Sequence, residues 1–150
     1  MSTLTKKEVR TDAAPALKPF YSQGVVGNIV YVSGSLEMDP NTSKIVEGTI
    51  ADRITQILKN ISNILEAAGI SLANLVRVNI FIIDMKNFNA MNEAYIRAVH
   101  EGVKAVRTCV AVNQPPLDTD VEIEAIAHFP SSHLWWLIEI DTLNIKQRKY

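Results

Sequence analysis

Apolar and polar positions along this chain follow two rhythms. Between Tyr21 and Gly34, two short β-rich runs (residues 21–26 and 29–33) flank Gly27-Asn28, the pattern of a hairpin. From Thr49 the period lengthens. Ile50, Ile54, Ile57, Leu58, Ile61, Ile64 and Leu65 recur at spacings of three and four, one continuous stripe of an amphipathic helix. Thr49 followed by Asp52 resembles a capping box, with Asp weaker there than Glu or Gln. Gly69 stands where a left-handed residue closes a helix. Such a helix must cover something flat and apolar, and the strand-like run Leu75 to Ile83 offers a sheet. Asn87 is placed to cap a second helix with Phe88, Met91, Tyr95 and Val99 on one face. Residues 107–112 and 121–127 read as further strands, separated by Gln114-Pro115-Pro116. The order ββ-α-β-α-ββ predicts an α+β fold, with two helices packed on one face of a mixed sheet. Residues 1–18 are polar and punctuated by Pro15, an extended N-terminal arm; 19–128 form the domain and 129–150 an extension.

Composition narrows the class. The 150 residues are 47% hydrophobic and 21% charged, with fifteen Lys+Arg against sixteen Asp+Glu. That is an ordinary globular balance, and it excludes a broadly basic nucleic-acid binder. One cysteine, Cys109, excludes a disulfide framework and a cysteine-based zinc site within one chain. The histidines, His100, His128 and His133, are scattered, and no metal site is expected. No apolar run reaches the roughly 18 residues of a membrane span. Lys6, Lys7 and Arg10 are followed by no apolar segment, so a secretory signal is not expected. Cytoplasm is the first expectation, with a mitochondrial presequence the alternative.

Candidate chemistry is sparse. The chain has no glycine-rich phosphate loop, no nucleophile elbow and no zinc-protease motif. A lone cysteine in a strand reads more readily as a small apolar residue than as a nucleophile. Two charged positions are less ordinary. Alternation puts Arg107 on the same face as Cys109 and Ala111, and puts Glu122 and Glu124 together on one face of the last strand. Both glutamates fit a solvent-facing side of the sheet. They also fit a site in which an arginine fork holds a carboxylate beside an acid–base group. Spacing alone leaves both open.

The ordered fragments resemble the RidA family (YjgF-type, also known as L-PSP endoribonucleases) of enamine/imine deaminases. They run from Ala14 to Ala127: Tyr21-Ser22-Gln23, Gly27-Asn28, Val30-Tyr31-Val32-Ser33-Gly34, Met38-Asp39-Pro40 and Ile64-Leu65-Glu66-Ala67-Ala68-Gly69. The set continues with Asp84-Met85-Lys86-Asn87-Phe88, Met91-Asn92, Tyr95, Arg107-Thr108-Cys109-Val110 and Val121-Glu122-Ile123-Glu124-Ala125-Ile126-Ala127.

The resemblance implies a chorismate-mutase-like homotrimer with sites in the clefts between subunits and no cofactor. It implies hydrolysis of 2-aminoacrylate or 2-iminobutyrate to the 2-keto acid and ammonia. Arg107 would hold the substrate carboxylate and Glu122 would handle the water or its proton. Tyr21, Ser33, Asn92 and Cys109 would line the substrate. Partners would be the imino acid and further copies of the chain, with no membrane. RNA cleavage or translation inhibition is the alternative, disfavoured by the absence of a Lys/Arg cluster in the core; a non-catalytic carboxylate-binding trimer is another. Three features depart from the pattern. The first hairpin is about one residue shorter after Tyr21-Ser22-Gln23, which makes Phe20 the alternative to Tyr21. Ala105-Val106 replaces Pro-Ala before the arginine. Ser33-Gly34-Ser35-Leu36-Glu37 replaces Ser-Gly-Gln-Ile-Pro, which is expected to alter one wall of the cleft and add charge. The extension, with Leu134-Trp135-Trp136-Leu137, has no counterpart in the resemblance.

Overall fold

The most strongly periodic segment forms the longest element, helix α1 (Ile50–Ala67). In this computed structural model, which describes residues 7–16, 21–99 and 102–130, both halves of the capping box form. Thr49 N–H donates to Asp52 Oδ2 at 2.8 Å, and Asp52 N–H donates to Thr49 Oγ1 at 3.4 Å. At the other end Gly69 takes φ +84°, and Ile70 N–H turns back to Leu65 O at 3.0 Å. That reversal satisfies a helix-end carbonyl and needs the conformation glycine adopts most cheaply. Ile54, Ile57, Leu58, Ile61 and Leu65 are at most 1% exposed, and Ile50 at the edge of the stripe is partly buried.

The stripe lies on a six-stranded sheet. Its strands are β1 (Lys7–Val9), β2 (Gly24–Val26), β3 (Ile29–Leu36), β4 (Leu75–Ile82), β5 (Val106–Ala111) and β6 (Val121–His128). Their order is β1-β2-β3-β6-β4-β5, antiparallel throughout except for the parallel pair β4–β5. Parallel neighbours cannot be joined by a tight turn, and helix α2 (Phe88–Ala98) makes the crossover. It packs beside α1, so both helices cover one face, as the sequence pattern predicts.

Two local expectations change. The segment read as an extended arm contributes β1, and Val9 and Ala14 enter the core. Buried Gln23 ties it down. Its Oε1 accepts from Thr11 N–H at 2.7 Å, and its amide donates to the carbonyls of Thr11, Ala14 and Pro15. A three-residue strand with one buried apolar side chain is too short to show a period. Asn87 makes no side-chain cap on α2; Asp84 caps the turn before it, its Oδ1 accepting from Lys86 N–H at 2.9 Å. The 3-10 turn Met85–Asn87 then runs directly into α2.

Strand alternation sorts the chemistry. On β6, Val121, Ile123, Ala125 and Ala127 face the helices and are buried. Glu122, Glu124, Ile126 and His128 therefore face the other way. Register carries this across the sheet: Phe81 lies opposite Glu122, and Asn79 opposite Glu124. Phe129 packs against the core, while residues 131–150, most of the expected extension, lie outside the described residues. Among the described residues no helix is long and apolar enough to cross a membrane.

Candidate active site

Arg107 is the second residue of β5. The parallel register sets it opposite Val78, a core residue, so its side chain leaves on the helix-covered side at the sheet's edge. There α2 receives it. The guanidinium carbon lies 4.8 Å from the centroid of the Tyr95 ring, within cation–π range. Nη2 donates to Asn92 Oδ1 at 2.5 Å, and Nη1 approaches Met91 Sδ at 3.8 Å. Met91, Asn92 and Tyr95 occupy adjacent positions of one helical face, which fixes the plane of the fork. Among the described residues, these contacts leave three of its five N–H groups uncommitted.

Cys109, two residues on, shares that side. Burial pushes its thiol above its ordinary value, with the Arg107 charge pulling weakly the other way. The thiol thus stays protonated near neutral pH, which disfavours it as a nucleophile. Burial likewise raises the Tyr95 phenol, again against the pull of Arg107, and its buried hydroxyl has no hydrogen-bond partner among the described residues.

Glu122 lies on the opposite face of the same sheet. It sits between Leu36 of β3 and Phe81 of β4, half-buried. β3 is irregular there, its register shifting between Val32 and Ser35, and Gly34 falls within the shift. A Cβ at Gly34 would stand 1.9 Å from Glu122 Oε1, so the missing side chain makes the space for this carboxylate. Burial raises the Glu122 pKa first, and the neighbouring Glu124 charge raises it further. Glu124 is exposed and accepts from Asn79 Nδ2 at 2.7 Å. Ser33 adjoins Gly34, and its hydroxyl donates to Ser22 O at 2.6 Å. Tyr21, 45% exposed, precedes that tie.

The six sequence-selected residues therefore form two groups. Arg107, Asn92 and Cys109 are together on the helix side. Glu122 and Ser33, with Tyr21 beside the Ser22 tie, belong to the open side around β3. The two groups do not meet within one chain. A hollow of about 250 Å³, lined by residues including Tyr31, Ser33, Arg77, Asn79 and Glu124, lies on the open face and not at Arg107. Met91 and Tyr95, placed by the sequence pattern on one face of the second helix, are buried in the core and also support Arg107, a second role the pattern did not show. Their spacing with Asn92 carried the signal only once the partner strand was known. One expectation is overturned: Glu37 forms no cleft wall. Its side chain is fully buried, and Oε1 pairs with Arg53 Nη1 at 3.0 Å.

A mixed sheet covered on one face by two helices, with a braced guanidinium at its parallel edge, defines a small α+β protein whose polar chemistry lies outside its core. The chain belongs to the family described as Endoribonuclease L-PSP, whose profile matches residues 11–129, and the resemblance to Rid proteins is thereby confirmed. The 2-iminobutanoate/2-iminopropanoate deaminase of Rattus norvegicus is 38% identical over 128 residues, 85% of this chain and 93% of that protein. Protein MMF1, mitochondrial, of Saccharomyces cerevisiae is 41% identical over 128 residues, 85% of this chain and 86% of its own length. The crystal structure of yeast Mmf1 matches with a TM-score of 0.80 at 40% identity, covering 84% of this chain and all of that one. E. coli TdcF with bound serine matches with a TM-score of 0.78 at 34% identity, covering 83% and 99%.

Proposed function

We propose that this chain hydrolyses small 2-imino acids to 2-keto acids and ammonia, in a site that two copies of the chain build together. The observation that carries the reading is the split between Arg107 and Glu122. One face holds a fork aligned by Asn92, Met91 and Tyr95; the other holds a carboxylate biased towards its protonated form. A cleft between copies, as in the trimer implied by the resemblance, brings the helix-side edge of one sheet to the open face of the next. The identity to the rat deaminase supports the chemistry, and the serine bound to E. coli TdcF is itself a small carboxylate ligand.

Arg107 grips the substrate carboxylate through two parallel N–H groups, which fixes the adjacent C=N carbon. Water adds to that carbon while Glu122 takes one of its protons. Glu122 returns that proton to the imine nitrogen, giving the carbinolamine; it then carries the hydroxyl proton to the same nitrogen as the C–N bond breaks, so that ammonia leaves and the carbonyl forms. Backbone groups near Cys109 and Ser33, with Tyr21, border the substrate. RNA cleavage is the weaker reading, because no basic track leads to Arg107 along the exposed side of β5 (Val106, Thr108, Val110).

The test is ammonia release from enzymatically generated 2-iminobutyrate. Arg107→Ala and Glu122→Gln each abolish release by about a hundredfold or more, the scale of losing a positioning or proton-transfer group. Unfolded together at equal amounts and refolded, the two variants recover about a quarter of wild-type activity, because random assembly pairs one intact half-site with the other at that frequency. Full activity in Arg107→Ala sinks the deaminase reading. Inactive variants that never complement sink the shared site.

A further inference from the structure

Glu37 immediately follows β3, at a position where the resembling family carries proline. It is fully buried, yet it is a carboxylate. Burying a charge is costly unless partners compensate it closely. Its partners lie on two other elements. Oε1 accepts from Arg53 Nη1 of α1 at 3.0 Å and from the backbone N–H of Asp120 at 3.1 Å. The same Arg53 nitrogen lies 3.4 Å from Asp120 Oδ2. Asp120 is the residue before β6, and its carbonyl accepts from Ile83 N–H at 3.0 Å. Alongside, the buried side chain of Asn60 donates to the carbonyls of Leu36 and Met38, at 3.2 and 2.8 Å. Residues 36–38 are thus fastened to α1 on both sides of Glu37. Leu36 is the β3 neighbour of Glu122.

We propose that Glu37 is a positioning residue for Glu122, fixing the entry of β6 through the Asp120 N–H so that the Glu122 carboxylate stays seated over Gly34. This rests on the deaminase reading for its kinetic consequence, though not for its geometry. The arrangement is a strut from helix to strand. Arg53 neutralises Glu37, Glu37 holds Asp120, and Glu122 follows two residues later with its side chain in the space Gly34 leaves open. Apart from Arg53 and Asp120, no charged group is bonded to Glu37 among the described residues, and Glu124 is the charge acting on Glu122. Released from that hold, the entry of β6 is free to shift, and movement of Glu122 towards solvent relieves its desolvation.

The experiment pairs Glu37→Leu, which removes the acceptor, with Glu37→Gln, which keeps one for Asp120. In each, the Glu122 carboxyl is titrated by 13C NMR, and kcat and KM for 2-iminobutyrate are followed against pH. Glu37→Leu moves the Glu122 titration and the acidic limb of kcat to lower pH. It also lowers kcat about tenfold with KM within about twofold, the signature of a misplaced group and an intact carboxylate clamp. Glu37→Gln restores most of both. Should Glu37→Leu not fold, Asp120→Pro removes the same N–H with the pair intact; Thr119 already has the extended φ −81°, ψ 161° that a following proline requires. An unmoved Glu122 titration in these variants overturns the proposal, whatever happens to melting temperature or rate. The titration needs no turnover, so an inactive wild type would defeat the deaminase reading and leave this one to be judged by NMR.

Discussion

The two faces of β6 come from alternate residues of one eight-residue strand, and they differ in everything except backbone. Val121, Ile123, Ala125 and Ala127 disappear under α1 and α2. Glu122, Glu124 and Ile126 look onto a face that no described element of the chain covers. The covered face is held by area: each side chain removed from water contributes in proportion to its size. The open face is held by clearances, such as the empty position at Gly34 and the single bond from Asn79 to Glu124. A change on the first is therefore felt by the fold, and a change on the second by the site.

The largest contrast comes from shortening one isoleucine on each face. Ile123→Ala, at a fully buried position, costs about 2–5 kcal/mol of unfolding free energy, whereas Ile126→Ala costs under about 1.5. Urea denaturation at one fixed protein concentration reads both, and equal losses would erase the distinction between the faces. Gly34→Ala is the next step down. The added methyl meets the far end of a flexible side chain, so Glu122 rotates away and the melting temperature moves by no more than about 4 °C. Activity nevertheless falls about tenfold as the carboxylate leaves its place. A wild-type rate in Gly34→Ala would show that Glu122 needs no such seat.

Glu124→Gln gives the smallest effect. Glu122 holds its proton above the ordinary carboxylate range, so its base form, and with it kcat, appears at higher pH than for a free glutamate. Removing the Glu124 charge takes away the lesser cause and leaves burial, the greater one. The acidic limb of the pH profile thus moves to lower pH while the plateau rate holds. A movement upward would reverse the sign of that coupling.

Much of this was legible in the sequence because burial leaves a period. The α1 stripe, the hairpin about Gly27-Asn28 and the alternation of β6 each repeat often enough to identify an element and its buried side. β1 lacked that length. Asn87 looked like a cap because it sits at the right distance from a helix, but the 3-10 turn ahead of α2 moves the capping role to Asp84. At the site, alternation correctly grouped Arg107 with Cys109, and Glu122 with Glu124. Which side of the sheet each pair takes depends on the β4–β5 and β4–β6 registers, and these are tertiary facts that no local pattern states. Glu37 was misread for the same reason. Its charge was assigned to a wall of the cleft because its buried partner, Arg53, sixteen residues away, is a tertiary neighbour.

The order of the sheet also bears on what concentrated solutions of this protein do. Among the described residues its two borders are unequal. β5 offers six residues with Val106 and Val110 exposed, while β1 offers three, with Lys7 and Glu8 outward. An unpaired strand is a template for another, and short charged strands are poor templates. Open-ended growth along the sheet would require β1 to accept β5 at every junction, and a three-residue strand carrying Lys7 and Glu8 is a poor acceptor.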